Sequence, residues 1–212
     1  MKNLKLVALS FLLIAVLACK ESKKNDATKT QEAQTSENTF SLVKDSTKVK
    51  FTAYKTTDKI AIGGEFKKVN ITNIGNGETA LEALNGAKFS IPVSSLFTND
   101  ITNTRDPKIL EFFFNVMNDP EFISGVFKVA DNNTCSIDVT LNGNTETIPL
   151  TYTASSDTNL SFDGVMHLEK WDAMEALASL HKACELLHTG EDGVSKTWSE
   201  VALHVDILLK RL

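Results

Sequence analysis

Apolar side chains recur at every second position in eight separate stretches of this chain. Val49, Phe51 and Ala53 alternate with Lys50, Thr52 and Tyr54, and Ile60, Ile62, Gly64 and Phe66 with Ala61, Gly63 and Glu65. The same alternation runs through Phe89, Ile91 and Val93; Ile123, Gly125, Phe127 and Val129; and Cys135, Ile137, Val139 and Leu141. It continues in Ile148, Leu150 and Tyr152; Leu160, Phe162, Gly164 and Met166; and Val201, Leu203, Val205, Ile207 and Leu209. Successive side chains of a strand point to opposite faces, so each stretch reads as a β-strand with one face turned inward. Asn142-Gly143 separates two of them, a hairpin signal because both turn positions need positive φ. Short strands joined by tight turns pair antiparallel, and eight of them can close into a barrel that leaves no exposed edge. The expected fold class is therefore mainly β, an eight-stranded antiparallel barrel.

Two segments break the period. Residues 172–190, DAMEALASLHKACELLHTG, place Ala173, Ala176, Leu177, Leu180, Cys184 and Leu187 on one stripe. Asp172 as N-cap with Glu175 three residues later forms an expected capping box, and Gly190 an expected stop. This longer helix precedes the last strand. A shorter helix is expected over Pro107 to Phe114, after the third long strand, with Asp106 as its cap.

The N-terminus reads as an export signal. Lys2 and Lys5 precede an almost wholly apolar run from Leu6 to Leu17, too short to span a bilayer, and Val16-Leu17-Ala18-Cys19 resembles a bacterial lipobox. The expected organisation is a lipoprotein signal peptide at 1–18, a flexible tether at 19–39 and a barrel domain at 40–212. Cys19 would carry the lipid that holds the protein on a membrane of the cell envelope. Residues 20–39 contain no apolar side chain larger than alanine, too little to bury, and could extend about 70 Å. The formal net charge of −5 and the absence of a basic run speak against nucleic acid as a partner.

No Gly-rich phosphate loop and no nucleophile elbow occurs, so no catalytic residues are assigned and an enzyme is not expected. His181, Cys184 and His188 share neighbouring helical faces, but one helix gives poor tetrahedral geometry and no further ligand is evident, so no metal is expected. Cys135 and Cys184 could form one disulfide or stay buried and free. Arg105-Asp106 could meet a ligand head group at the barrel mouth or simply fix the turn. Gly64, Gly125 and Gly164 fall at the inward parity of their strands. Their missing side chains could leave interior volume walled by Phe51, Phe66, Phe89, Ile91, Phe127 and Phe162, or could bend the strands. Phe112 and Phe113 on the short helix, and Trp171 at the start of the long one, extend this candidate lining. The same aromatic face would equally suit a filled core.

These landmarks resemble the YceI family of exported lipid-binding proteins. The resemblance runs over nearly all of residues 40–210. It rests on S-T-K-V-K-F (46–51), I-G-G-E-F (62–66), N-T-R-D-P-K-I-L-E-F-F-F (103–114), E-F-I-S-G-V-F (121–127), S-I-D-V-T-L-N-G-N-T (136–145) and V-A-L-H-V-D-I-L-L-K (201–210). It implies a lipocalin-like barrel, with Arg105-Asp106 beside the mouth, that encloses a long isoprenoid or fatty-acyl lipid and needs no cofactor. Two features depart from the family pattern. Asp45-Ser46-Thr47 stands where a His-Ser pair is frequent, and the long helix enlarges the last loop. A barrel filled by its own side chains, serving as a scaffold or partner-binding envelope protein, is the alternative expectation.

Overall fold

The computed structural model describes residues 39–212, so the expected signal peptide, lipidated Cys19 and almost all of the tether lie outside the described residues. Among the described residues there are twelve strands: β1 (Phe40–Leu42), β2 (Lys48–Lys55), β3 (Ile60–Phe66), β4 (Asn70–Thr72), β5 (Asn76–Gly77), β6 (Lys88–Pro92), β7 (Leu96–Phe97), β8 (Phe122–Val129), β9 (Cys135–Leu141), β10 (Asn144–Ala154), β11 (Asn159–His167) and β12 (Glu200–Arg211). Three α-helices accompany them: α1 (Ala80–Leu84), α2 (Arg105–Phe112) and α3 (Met174–Ala183). None is long and apolar enough to cross a membrane.

All strands belong to one curled antiparallel sheet, ordered β4-β6-β8-β9-β10-β11-β12-β2-β3-β7, with β1 beside β12 and β5. The eight alternating stretches of the sequence are the eight longer strands of this sheet. The other four are only two or three residues long. Their pairing differs from the simple eight-strand expectation, because the hydrogen-bonded path is open at β4 and β7. The interruptions are local. A 3-10 turn at Lys44–Ser46 separates β1 from β2, and another at Val93–Ser95 separates β6 from β7.

The β9–β10 hairpin turns on Asn142 (φ 53°) and Gly143 (φ 75°), the left-handed geometry that an Asn-Gly pair adopts at low cost. Asn142 also ties distant segments together. Its Nδ2 donates to the carbonyls of Trp171 (3.0 Å) and Asp172 (2.9 Å), and its Oδ1 accepts from the Asn118 amide (2.8 Å).

Helix starts differ from the sequence expectation. Asp172 is not an N-cap: it sits at φ 54° between a 3-10 turn (Leu168–Trp171) and α3, whose N-cap Ala173 has no side-chain bond. An N-cap residue has extended backbone, which the left-handed Asp172 lacks, so the capping box does not form. The helix proper ends at Ala183, and residues 185–187 form a 3-10 turn. Asp106 likewise lies inside α2 rather than capping it. A true capping box forms in the unforeseen α1, where Thr79 Oγ1 accepts from Glu82 N (3.2 Å) and Glu82 accepts from Thr79 N (3.3 Å).

Two apolar clusters form the core. One joins Phe66, Ile91, Phe114, Val139, Leu141, Met166 and Trp171 to Ala176 and Leu177 of α3. The other joins Phe40, Leu42, Leu81 and Leu84 to Phe127, Cys135, Phe162 and Leu209, around β1 and α1. Ile137 and Leu150 pack against both.

Candidate ligand cavity

The concave face of the sheet lines a cavity of about 230 Å³. Its wall takes Val49, Phe51 and Ala53 from β2, Phe89 and Ile91 from β6, Phe127 from β8, Phe162 from β11, and Leu203, Val205 and Ile207 from β12. Ile109 and Phe113 from α2, with Leu177 and Leu180 from α3, line the same space. Alternation puts the strand residues there: every second side chain of a strand faces inward. The cavity touches both core clusters and is apolar over nearly its whole wall.

Of the residues read from sequence as candidate lining, Phe51, Phe66, Phe89, Ile91, Phe113, Phe127 and Phe162 border the cavity. Phe112 and Trp171 do not. Phe114 takes the place expected for Phe112, because the helical turn carries Phe113 and Phe114 inward as an edge-to-face pair with centroids 5.1 Å apart. Trp171 is a core residue, 1% exposed, whose Nε1–H donates to Val139 O at 2.8 Å.

The inward glycines do not leave open space. A Cβ at Gly64 would run into the ring of Phe51, its cross-strand partner, and one at Gly125 would meet the ring of Phe89, its own partner. At Gly164 the room is taken by Leu150 and Ile148. Each glycine gives a neighbouring side chain room to lie across its strand, so the space of the missing side chain is taken by that neighbour and does not itself open into the cavity.

Arg105 and Asp106 are absent from the wall and fix a loop. Arg105 Nη2 pairs with Asp100 at 3.6 Å, and its amide donates to Asp100 Oδ2 at 3.2 Å. Asp106 accepts from the amide of Thr98 at 3.1 Å and from its hydroxyl. Of the two readings of this pair, the turn-fixing one matches these bonds.

Cys135 and Cys184 are both buried and free, so the disulfide considered from sequence is not formed. Cys135 opens β9, whereas Asn142, just beyond its other end, is bonded to the segment leading into α3. The six steps along the strand from Cys135 to Leu141 span about 20 Å. Burial pushes both thiols above their ordinary pKa.

His181 and His188 converge on a hydroxyl. Their Nδ1 atoms lie 2.9 and 2.6 Å from Thr197 Oγ1, and their ring centroids are 6.4 Å apart. Burial, aided by Lys55, His181 and Lys108, holds the His188 pKa down at about 4. Thr197 and Trp198 border the cavity beside this group. Sequence reasoning missed them as lining, since residues 189–199 carry no period. No cluster of three metal-ligating side chains occurs among the described residues.

A curled antiparallel sheet beside an apolar cavity, with helices packed against it, defines a mainly β class of fold. The chain superposes on a polyisoprenoid binding domain from Saccharophagus degradans implicated in plant cell wall breakdown, with a TM-score of 0.57 and 12% identity over 82% of this chain and 98% of that one. It superposes on BcnA from Burkholderia cenocepacia with a TM-score of 0.51 and 15% identity, over 80% of this chain and 99% of that one. At these identities the likeness is one of fold. No protein-family model and no curated protein sequence matches the chain.

Proposed function

We propose that this protein is a non-enzymatic lipid-binding protein of the bacterial cell envelope, anchored through Cys19, that encloses an isoprenoid or acyl chain in its sheet. The observation that carries this reading is the apolar cavity of about 230 Å³. Related support comes from a structural neighbour that is itself a polyisoprenoid binding domain. The cavity favours a carrier over the filled-barrel scaffold.

Enclosure follows from reading the twelve strands as eight chain segments. Residues 40–55 (β1, β2), 60–77 (β3, β4, β5) and 88–97 (β6, β7) are each one interrupted strand. The first pairs with the second through β2–β3 and β1–β5, and the second with the third through β3–β7 and β4–β6. The remaining pairings run from β6 through β8, β9, β10, β11 and β12 back to β2. On this reading the ring is complete, and the breaks at residues 67–69 and 93–95 are corners, bridged by Lys67 N–H to Ser95 O at 2.9 Å.

Size bounds the guest. An apolar cavity of about 150 Å³ stays dry and admits benzene, which has six carbons. Scaled to this cavity, that gives room for roughly nine carbons, or about two isoprene units, before side chains must move. Every buried CH₂ contributes about 0.8 kcal/mol, so affinity should come from the chain.

The test is uptake of the neutral apolar dye N-phenyl-1-naphthylamine, which exceeds about nine carbons and so enters as side chains move, and its displacement by geraniol, which fits as the cavity stands. Ala53→Trp, which fills the cavity from β2, should abolish both while the protein stays folded. Dye uptake unchanged in Ala53→Trp would place binding elsewhere and overturn the reading.

A further inference from the structure

The end of the cavity beside α3 has a different chemistry from the rest. Thr197 borders the cavity there, and its hydroxyl is shared by His181 and His188. A hydroxyl carries one proton, so between two neutral rings it donates to one and accepts from the other. The ring that accepts at Nδ1 carries its own proton on Nε2. Neither Nε2 is bonded to the protein among the described residues. The group therefore offers one neutral N–H donor.

Two lysines adjoin it. Lys55 pairs with Thr197 across a β-bridge, and its Nζ donates to Leu187 O at 3.0 Å. Lys108 precedes the cavity residue Ile109 on α2, which packs against α3. Both lysines act on Cys184 and His188 through their charge. Among the described residues neither forms an ion pair, although six other lysines and arginines do. A further cation, Lys196, lies 3.5 Å over the Trp198 ring on the same rim. Clustered like charges repel, and a rim left in this state is suited to an anion.

We propose that the α3 end of the cavity binds the phosphate head of an amphipathic lipid, with Lys55 and Lys108 supplying charge and the His181–Thr197–His188 group a neutral donor. This rests on the lipid-binding reading above. Two ammonium groups match a phosphate monoester, which carries about −1.5 to −2 at neutral pH, better than a single carboxylate. The chain would lie along the apolar wall and the head would stay at the rim.

The experiment measures displacement of N-phenyl-1-naphthylamine by geraniol, by geranyl phosphate and by inorganic phosphate. It compares the wild-type protein with Lys55→Met/Lys108→Met. In the wild type, geranyl phosphate should act at about tenfold lower concentration than geraniol, a difference of about 1.4 kcal/mol. In the double variant the two should act alike, with geraniol unchanged, and inorganic phosphate should have no effect in either. Equal potency in the wild type, or a preference that survives in the double variant, overturns the head-group assignment alone. Inorganic phosphate that abolishes the preference marks a free-anion site and overturns it too. Geraniol that fails to displace the dye from the wild type refutes the lipid-binding reading itself.

Discussion

The ring of Phe51 lies across Gly64, its cross-strand partner, in the space a side chain there would need. Phe51 is thereby laid against the sheet, 5.7 Å from the Phe66 ring, and forms cavity wall instead of filling the interior. Gly64→Ala should therefore push the ring inward and destabilise the protein by about 1–3 kcal/mol, the usual range for overpacking. Urea unfolding measures it, and an unchanged midpoint would show that the ring has another place to go. Gly125→Ala should cost more, since a Cβ there also meets the Asp138 carbonyl, which cannot rotate away.

Trp171 couples the long loop to the sheet. Trp171→Phe keeps an aromatic ring but removes the bond from its Nε1–H to Val139 O, a carbonyl of a strand that stays paired to β8 and β10. The net loss of one hydrogen bond costs about 0.5–1.5 kcal/mol. A loss of that size in urea, with dye binding retained, is the expected result, because Trp171 does not border the cavity.

Two histidines give the stability opposite pH dependences. His188 is held neutral mainly by burial, with a folded pKa of about 4 against an ordinary value of 6.5. Between those values the unfolded chain binds more protons, so this contribution is intact above about 6.5 and declines as pH falls toward 4. His204 behaves oppositely. Its bond to Asp163, with Asp206 at the other nitrogen, raises its pKa, and Ser161 and Lys50 also hold Asp206. Its contribution is full below the ordinary value of 6.5 and is lost as pH rises through the folded value. Urea midpoints against pH should lose part of their acid limb in His188→Gln and part of their alkaline limb in His204→Gln. Unaltered limbs would contradict the assignments.

The free, buried thiols of Cys135 and Cys184 should react slowly with a thiol reagent in the native protein and rapidly in urea. A reductant should leave the melting temperature unchanged. A fall in melting temperature on reduction would reveal a disulfide.

Most of the sheet was legible in the sequence because parity survives wherever a strand is long enough to show it. β2, β3, β6 and β8 to β12 all are. β4, β5 and β7 are too short to carry a period, so the corners they make were invisible. Parity also brought the six strand candidates, Phe51, Phe66, Phe89, Ile91, Phe127 and Phe162, to the cavity wall. It failed at Phe112 because a helix turns by about 100° per residue, and only the packing of α2 decides which ring enters. At the glycines, sequence shows a missing side chain but not the partner across the strand that takes its space. Thr197 and Trp198 were missed because their loop is positioned by bonds to β2 and the turn after it, with Trp198 N–H on Tyr54 O and Trp198 Nε1–H on Thr56 O.

The central claim is that the interior is occupied by a lipid chain in the living cell. Native mass spectrometry of the full-length protein, extracted from its own host in mild detergent, tests it directly. The account predicts a mass excess that dissociates as an isoprenoid or acyl species and disappears in Ala53→Trp. Bare polypeptide from the host that also takes up no such species on incubation would contradict it.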